Sequence, residues 1–171
     1  MTIGNGMSVE HPLIERLNAM GIAWTMHEHE AVFTVEESVR LHDAIPGAHT
    51  KNLFLKDAGS QFWLVTAPHD ARVDLKALPG TIGSKKLSFA KAEDMERLLG
   101  ISPGSVTPLA AMNDKGDLVR VVLDVRLAAH DCVNVHPLRN TATIGLSGAD
   151  LTAFLRDTGH DILVIEVPAQ Q

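Results

Sequence analysis

Apolar residues recur at intervals of three and four along several parts of the chain, which is the period of a helix with one buried side. Leu13, Leu17 and Met20 follow this spacing. Thr34 and Glu37 form a capping-box pattern, in which each side chain can bond a free amide at the start of a helix. The pattern predicts helices over residues 11–21, 34–42, 93–99 and 148–158, and a short helix over residues 74–78 that ends before Pro79.

Elsewhere apolar and polar residues alternate, which is the period of a strand with two different faces. In residues 52–57, Phe54 and Lys56 share one face, whereas Leu53 and Leu55 share the other with Asp57. A turn-forming stretch separates this run from residues 61–67, so the two are predicted to form a hairpin. Further strands are predicted over residues 24–29, 87–90, 118–124, 133–136, 141–146 and 162–167, and loops over residues 43–50, 81–86 and 101–109.

Helices and strands mix irregularly along the chain, without steady β–α–β alternation. This order favours an α+β fold, a mixed, largely antiparallel sheet with packed helices. The 171 residues, 45% of them hydrophobic, are enough for a sizeable core, and no repeat or internal linker interrupts them. We therefore expect a single domain over residues 1–171, in which residues 1–9 form a loose N-terminal arm.

Charge and composition exclude several classes of protein. Fifteen Lys and Arg against 21 Asp and Glu argue against a protein that coats nucleic acid without specificity. Basic residues are nevertheless concentrated between Asp70 and Lys91, where five stand against two acidic residues. No apolar run reaches the roughly 20 residues of a membrane span, and the first residues lack the blocks of a secretory signal. We expect a cytoplasmic protein that does not contact a membrane.

Neither a metal site nor a covalent nucleophile has a strong signal. His27-Glu28-His29-Glu30 places two histidines on one face of a strand, but no third ligand follows at a diagnostic spacing. Cys132 is the single cysteine, which excludes an intrachain disulfide. A lone cysteine among apolar residues is usually part of the core, although His130 and His136 lie near enough in sequence to pair with it. We expect no metal and no cofactor.

Lys51 lies where the polar lead-in His49-Thr50 meets the alternating strand. The end of a strand beside a loop is a rigid place from which a long cation can reach a ligand. Lys51 is therefore a candidate functional residue. The alternative is a solvated lysine at the start of a strand.

Four ordered motifs resemble the YbaK and prolyl-tRNA-synthetase-associated editing-domain family. They are residues 29–34 (HEAVFT), 49–55 (HTKNLFL), 104–108 (GSVTP) and 136–141 (HPLRNT). Within the family the chain is most similar to the free-standing alanyl-tRNA(Pro) deacylases, the ProXp-ala or PrdX branch. The resemblance implies a trans-editing hydrolase that cleaves the ester between a wrongly attached alanine and the 3′ adenosine of the proline tRNA. Such a second sieve must admit alanine and reject proline.

The resemblance also implies roles for individual residues. Lys51 is expected to hold the phosphate and ribose of the terminal nucleotide, and Gly104 to lie in a loop whose backbone groups approach the scissile carbonyl. His136 is expected to border the amino-acid pocket, the alternative being a hydrogen-bonded core histidine. The other expected substrate-binding residues are Thr34, Asn52 and Pro108, and the expected contacts to the tRNA acceptor stem are Arg72, Lys76, Lys85 and Lys86.

Two other functions remain compatible with the sequence. One is a deacylase of the same family that acts on Cys-tRNA or another small aminoacyl-tRNA, and the other is a non-catalytic tRNA-binding regulatory module. The expected partners are the acceptor end of a mischarged tRNA, foremost the proline tRNA, and prolyl-tRNA synthetase. The chain is expected to be a monomer or a weak homodimer.

Overall fold

The structure of the chain, a computed structural model, describes residues 8–32 and 34–170. Its helices are α1 His11–Ala19, α2 Val35–Ala44, α3 Leu78–Ile82, α4 Ala92–Leu99, α5 Val125–Ala128 and α6 Gly148–Asp157. Its strands are β1 Thr25–Glu28, β2 Ala48–Asp57, β3 Phe62–Pro68, β4 Leu87–Phe89, β5 Val119–Asp124, β6 Val133–Val135, β7 Ala142–Leu146 and β8 Ile162–Ile165. Two 3-10 helices span Pro103–Ser105 and Pro108–Asn113.

The strands form one sheet in the order β1-β7-β6-β2-β3-β5-β8, and β4 also pairs with β2. Among the described strands, four pairings are antiparallel and three are parallel. The predicted α+β class, a mixed, largely antiparallel sheet with packed helices, is confirmed. β2 lies at the centre, with β3 on one edge and both β6 and β4 on the other.

Both faces of the central strands are buried. Phe54 and Leu64 belong to a hydrophobic cluster that includes residues of α1, α4 and α6. Leu55 and Trp63, on the opposite face, pack in a second cluster with residues of α3. Because successive strand residues point to opposite faces, the alternation in β2 puts one apolar side chain into each cluster. The rigid hairpin is therefore anchored from both sides.

The hairpin begins earlier than the alternation predicted. Ala48 and His49 were expected in a loop, but they pair in parallel with Val133 and Asn134 of β6. Such long-range pairing leaves no local signal in the sequence. As a result, Lys51 is the fourth residue of β2 and not its first.

Three prolines begin helical turns that the sequence analysis did not predict. The short helix α3 starts before Pro79 instead of ending there, and Gly83, with φ of 77°, ends it. Pro103 and Pro108 each begin a 3-10 helix in a segment expected to be a loop. A proline is tolerated in the first turn because its missing amide has no partner within the helix there.

The predicted capping box of α2 is present. Glu37 N donates to Thr34 Oγ1 at 3.1 Å, and Thr34 N donates to Glu37 Oε1 at 3.0 Å. The predicted N-terminal arm lies outside the described residues over positions 1–7, and α1 begins two residues after Val9. Within the described ranges, none of the helices is long and apolar enough to cross a bilayer.

Candidate active-site cleft

The cleft lies where β2 and β6 separate. β2 pairs with β6 at Ala48 and His49, and with β4 from Leu55 onward. Between these contacts residues 50–53 face no strand on that edge within the described part of the chain. A cleft of about 490 Å³ is lined by residues of this unpaired segment, of β6, of α2 and of the Gly104 turn. A volume of this size is typical of small-ligand sites.

Four of the predicted site residues meet in this cleft although they come from three separate segments. They are Lys51, Asn52, Gly104 and His136. Thr34 and Pro108 are not among the lining residues. Thr34 is exposed and caps α2, and Pro108 is buried at the start of its 3-10 helix, so the structure gives both a structural role.

The Lys51 side chain is half-buried and its position is fixed. Its Nζ donates a hydrogen bond of 2.7 Å to the carbonyl oxygen of Ala71, in the segment that follows β3. An ammonium carries three donors, so two remain for a ligand. The cation is thereby held within the cleft, ready to bind an anion.

A chain of hydrogen bonds orients Asn52. Thr66 Oγ1 donates to Asn52 Oδ1 at 2.7 Å, and Asn52 Nδ2 donates to Thr50 Oγ1 at 3.1 Å. Thr50 Oγ1 in turn donates to the carbonyl oxygen of Asn134 at 2.9 Å. The chain links β3, β2 and β6 and leaves one N–H of the Asn52 amide for a ligand.

Gly104 permits a close contact with Asn140, which also lines the cleft. A Cβ atom built at Gly104 would lie 3.1 Å from Asn140 Nδ2, tighter than most real Cβ contacts. The glycine therefore lets the Asn140 amide approach the 3-10 turn. The expected contact between backbone groups of this turn and the substrate stays a prediction.

His136 lies in the cleft, where burial favours the neutral form of its imidazole. Burial lowers the pKa of its imidazole, and the neighbouring His29 lowers it further, although a bond to the carbonyl oxygen of Ala142 opposes the shift. That bond, Nδ1 to Ala142 O at 3.4 Å, requires the proton on Nδ1 because a carbonyl only accepts. Nε2 is left as an acceptor, which suits a substrate ammonium or a water molecule.

The turn that carries His136 is anchored by Arg139. Its guanidinium donates two bonds to Glu28, at 2.9 and 2.7 Å, and one to Glu10 at 2.9 Å. Burial raises the pKa of the Glu10 carboxyl, but hydrogen bonds, foremost the one from Arg139, and the Arg139 charge together outweigh this effect, so its pKa lies below the usual value. Leu138 lies between His136 and Arg139 and has φ of 71°, a conformation that costs a non-glycine residue free energy.

Three histidines that the sequence analysis did not assign to the site lie together in the cleft. The His42 ring stacks on that of His49 with centroids 4.1 Å apart, and His69 meets His42 edge-on at 4.5 Å. Burial and the two neighbouring imidazoles lower the pKa of His42 to about 4. The three histidines lie in α2, in β2 and directly after β3, so no spacing in the sequence could have grouped them. Further lining residues that were missed are Asn134, Asn140 and Thr143.

The basic residues expected to contact tRNA lie outside the cleft. All four side chains are exposed: Arg72, Lys76, Lys85 and Lys86.

The only cluster of metal-ligating groups among the described residues is Asp114, Asp117 and His160. Asp114 there accepts bonds from the amides of the following turn and from the His160 ring, so it is held as a structural element.

The histidine-rich strand segment and the cysteine have other structural contacts. Glu28 bonds Arg139, and His29 Nε2 lies 2.9 Å from Thr143 Oγ1. The Cys132 thiol lies 4.0 Å from the carbonyl oxygen of Pro46 and is not among the residues that line the cleft.

Comparison with known proteins adds a family. The profile described as "Aminoacyl-tRNA editing domain" matches residues 29–154, which include all four motifs quoted above. The chain is 38% identical over 162 residues to "Prolyl-tRNA editing protein ProX" of Acetoanaerobium sticklandii, covering 94% of this chain and 99% of that protein. It is 41% identical over 165 residues to "Prolyl-tRNA synthetase associated domain-containing protein 1" of Bos taurus, covering 94% and 96%.

The fold has counterparts among solved structures. A crystal structure described as that of a candidate trans-editing enzyme for prolyl-tRNA synthetase superimposes with a TM-score of 0.69. The match covers 94% of this chain and 98% of that chain at 20% sequence identity, which is a likeness of fold.

Proposed function

The chain belongs to the aminoacyl-tRNA editing-domain family, and from this membership and the cleft we propose that it hydrolyses mischarged Ala-tRNA(Pro) in trans. The predicted family is confirmed, as is the predicted enzymatic class, an aminoacyl-tRNA deacylase. The observation that carries the proposal is the meeting of Lys51, Gly104 and His136 in one cleft.

The nucleotide end of the substrate binds beside Lys51. The ammonium is tethered to the Ala71 carbonyl oxygen and keeps two donors for the phosphate or ribose oxygens of the terminal adenosine. A lysine provides a compact point charge for an anionic backbone. This contact fixes the ester at a set distance from the opposite wall of the cleft.

The aminoacyl group binds between His136 and the Gly104 turn. The acceptor Nε2 of the His136 ring accepts a hydrogen bond from the substrate α-ammonium, and Val32 borders the same space. The small alanyl methyl fits between these groups, whereas the pyrrolidine ring of proline has two additional ring carbons, Cγ and Cδ, to place. Steric exclusion, and not only affinity, is needed because one methylene changes binding by only about 1–3 kcal/mol.

Hydrolysis needs no covalent intermediate with the protein. An aminoacyl ester is already activated, so holding the ester and a water molecule in line supplies much of the rate increase. The Asn140 amide beside Gly104 and the free N–H of Asn52 are donors for the carbonyl oxygen as charge develops on it. The vicinal ribose hydroxyl assists the attack.

The exposed basic segment binds the acceptor stem of the tRNA. Arg72, Lys76, Lys85 and Lys86 are the charged side chains we assign to this contact. The names of the relatives point to prolyl-tRNA editing and association with prolyl-tRNA synthetase, so the proline tRNA and that synthetase are the partners we propose.

The proposal is tested with a panel of esters. Ala, Ser, Cys and Pro are each attached to the proline and alanine tRNAs, and the rate of deacylation is measured. We expect rapid hydrolysis of Ala-tRNA(Pro) and none of Pro-tRNA(Pro). Preference for the Cys ester would show that the protein is instead a Cys-tRNA deacylase of the same family. Binding of tRNA without hydrolysis of any ester would favour a non-catalytic module.

The chain offers a matched pair of lysine variants for the role of Lys51. Lys51→Ala removes the cation from the cleft, and we expect a loss of about 100-fold or more in deacylation rate. Lys56→Ala is the control, because Lys56 is on the same strand but lies over the Phe62 ring, 5.3 Å from its centroid. Equal rates for the two variants would remove Lys51 from the mechanism.

A further inference from the structure

Three imidazole rings lie in one corner of the cleft, and their chemistry differs from that of the rest of the site. His42 stacks on His49 at a ring angle of 20°, and His69 meets both rings edge-on. His49 is buried and its Nε2 bonds the carbonyl oxygen of Ile45 at 2.8 Å, so it supports the ring above it. His69 is exposed at the edge of the cleft.

His42, the ring in contact with both of the others, favours its uncharged form. The pKa of His42 is lowered to about 4, first by burial and then by the two neighbouring rings. Near neutral pH His42 therefore offers flat aromatic surface and no charge to attract an anion. A surface of this kind favours a planar, aromatic ligand group over a phosphate.

Lys51 and the cluster are held together by the same segment. His69 N donates to the carbonyl oxygen of His49 at 3.0 Å, and Ala71, two residues later, accepts from Lys51 Nζ at 2.7 Å. A ligand that places an anionic group on the Lys51 ammonium is thus brought within reach of the rings. A nucleotide carries both a phosphate and a planar base.

We propose that His42, His49 and His69 form a stacking site for a nucleobase of the single-stranded 3′ end of tRNA. This inference rests on the proposed function, and it assigns to the cleft a base-binding corner next to the ammonium that holds the backbone. Stacking is tolerant of base identity, because every base has a π-face. The site therefore adds affinity for the CCA end and does not select among tRNAs.

The test uses an uncharged acceptor-stem minihelix with 2-aminopurine in place of the 3′-terminal adenine. Its fluorescence is quenched when the base stacks, and no hydrolysis is required. We expect His69→Ala to weaken binding by about 5- to 30-fold and to lose the quenching, and His69→Phe to retain both. His11→Ala is the control, because His11 lies at the start of α1 outside the cleft.

Two further measurements keep the result decisive. A minihelix that lacks the terminal base should bind wild type and His69→Ala equally, and a remaining difference between them would overturn the proposal. In the wild-type protein, adenosine 5′-monophosphate should shift the histidine Hε1 resonances by ring current, whereas ribose 5-phosphate should not. Equal shifts with both ligands would show a phosphate contact and also overturn it.

These experiments distinguish failure of the base-stacking site from failure of the proposed deacylase function. Failure of the wild-type protein to hydrolyse any ester would refute the deacylase, while quenching that depends on His69 would still show the base site. Hydrolysis of Ala-tRNA(Pro) with no effect of His69→Ala on minihelix binding would refute the base site alone.

Discussion

Replacing Arg139 with methionine should destabilise the fold, because it removes the partner of a nearly buried carboxylate. The Glu10 side chain is 8% exposed and that of Arg139 23%, whereas that of Glu28 is 67% exposed. Breaking a fully buried pair costs about 3–5 kcal/mol, and an exposed pair contributes about 0–1 kcal/mol. Most of the loss should therefore come from Glu10.

The loss of stability from leaving Glu10 without its arginine has an upper limit that depends on pH. A carboxyl with the ordinary pKa of 4.5 can be protonated at pH 7 for about 3.4 kcal/mol, so a stranded Glu10 need not remain charged. We expect Arg139→Met to lower the free energy of unfolding by about 2–3 kcal/mol at pH 7, after allowance for the partial exposure of the arginine. At pH 5 protonation costs under about 1 kcal/mol, so the difference from wild type should shrink.

Urea unfolding at pH 7 and pH 5 measures these differences. Glu28→Gln is the matched control and should cost about 1 kcal/mol or less. Combining Arg139→Met with Glu10→Gln should recover more than half of the loss, since no charge is then stranded. The reasoning is refuted if Arg139→Met and Glu28→Gln are equally destabilising, or if the double variant is no more stable than Arg139→Met. Because Arg139 anchors the turn that carries His136, both variants that lack Arg139 should also slow deacylation, whereas Glu28→Gln should not.

Three further predictions concern the cleft and its surroundings. Gly104→Ala should displace the Asn140 amide by a few tenths of an ångström and lower kcat by about 3- to 10-fold without changing the unfolding midpoint; an unchanged kcat would contradict the assigned contact. Reversing the charges of Lys85 and Lys86 should reduce the slope of log K for tRNA binding against log salt by about 2, and an unchanged slope would exclude the segment from the interface. The pKa of His42 is about 4 in the folded protein, against an ordinary 6.5, so between these pH values the unfolded chain binds a proton that the folded chain does not. The free energy of unfolding should therefore fall as the pH drops from 6.5 towards 4. His42→Phe should reduce that fall, as measured by urea unfolding at pH 7 and pH 5.

Sequence patterns predicted those parts of the molecule in which local chemistry decides the conformation. The capping box at Thr34 and the alternation in β2 both depend on neighbours within a few residues, and both are present. Lys51 and His136 were found through motifs, and the structure brings them into one cleft. The histidine cluster was missed because three distant segments have to fold before its rings meet.

Proline-containing segments were predicted less well for a related reason. A proline is compatible both with the end of a helix and with its first turn, and the choice depends on the hydrogen bonds that follow it. At Pro79 the bond from Gly83 N to Pro79 O continues the turn. The same ambiguity at Pro108 led to a predicted loop where a 3-10 helix begins.

The separation of β2 from β6 after two paired residues has a consequence for how specificity can change. The point at which these strands separate is set by the main-chain pairing of Ala48 and His49 with β6. Backbone amides and carbonyls along the open edge remain available to a bound ester whatever residues surround it. New amino-acid preferences can therefore arise through replacements at the rim, while the scaffold that aligns the reacting groups keeps its dimensions.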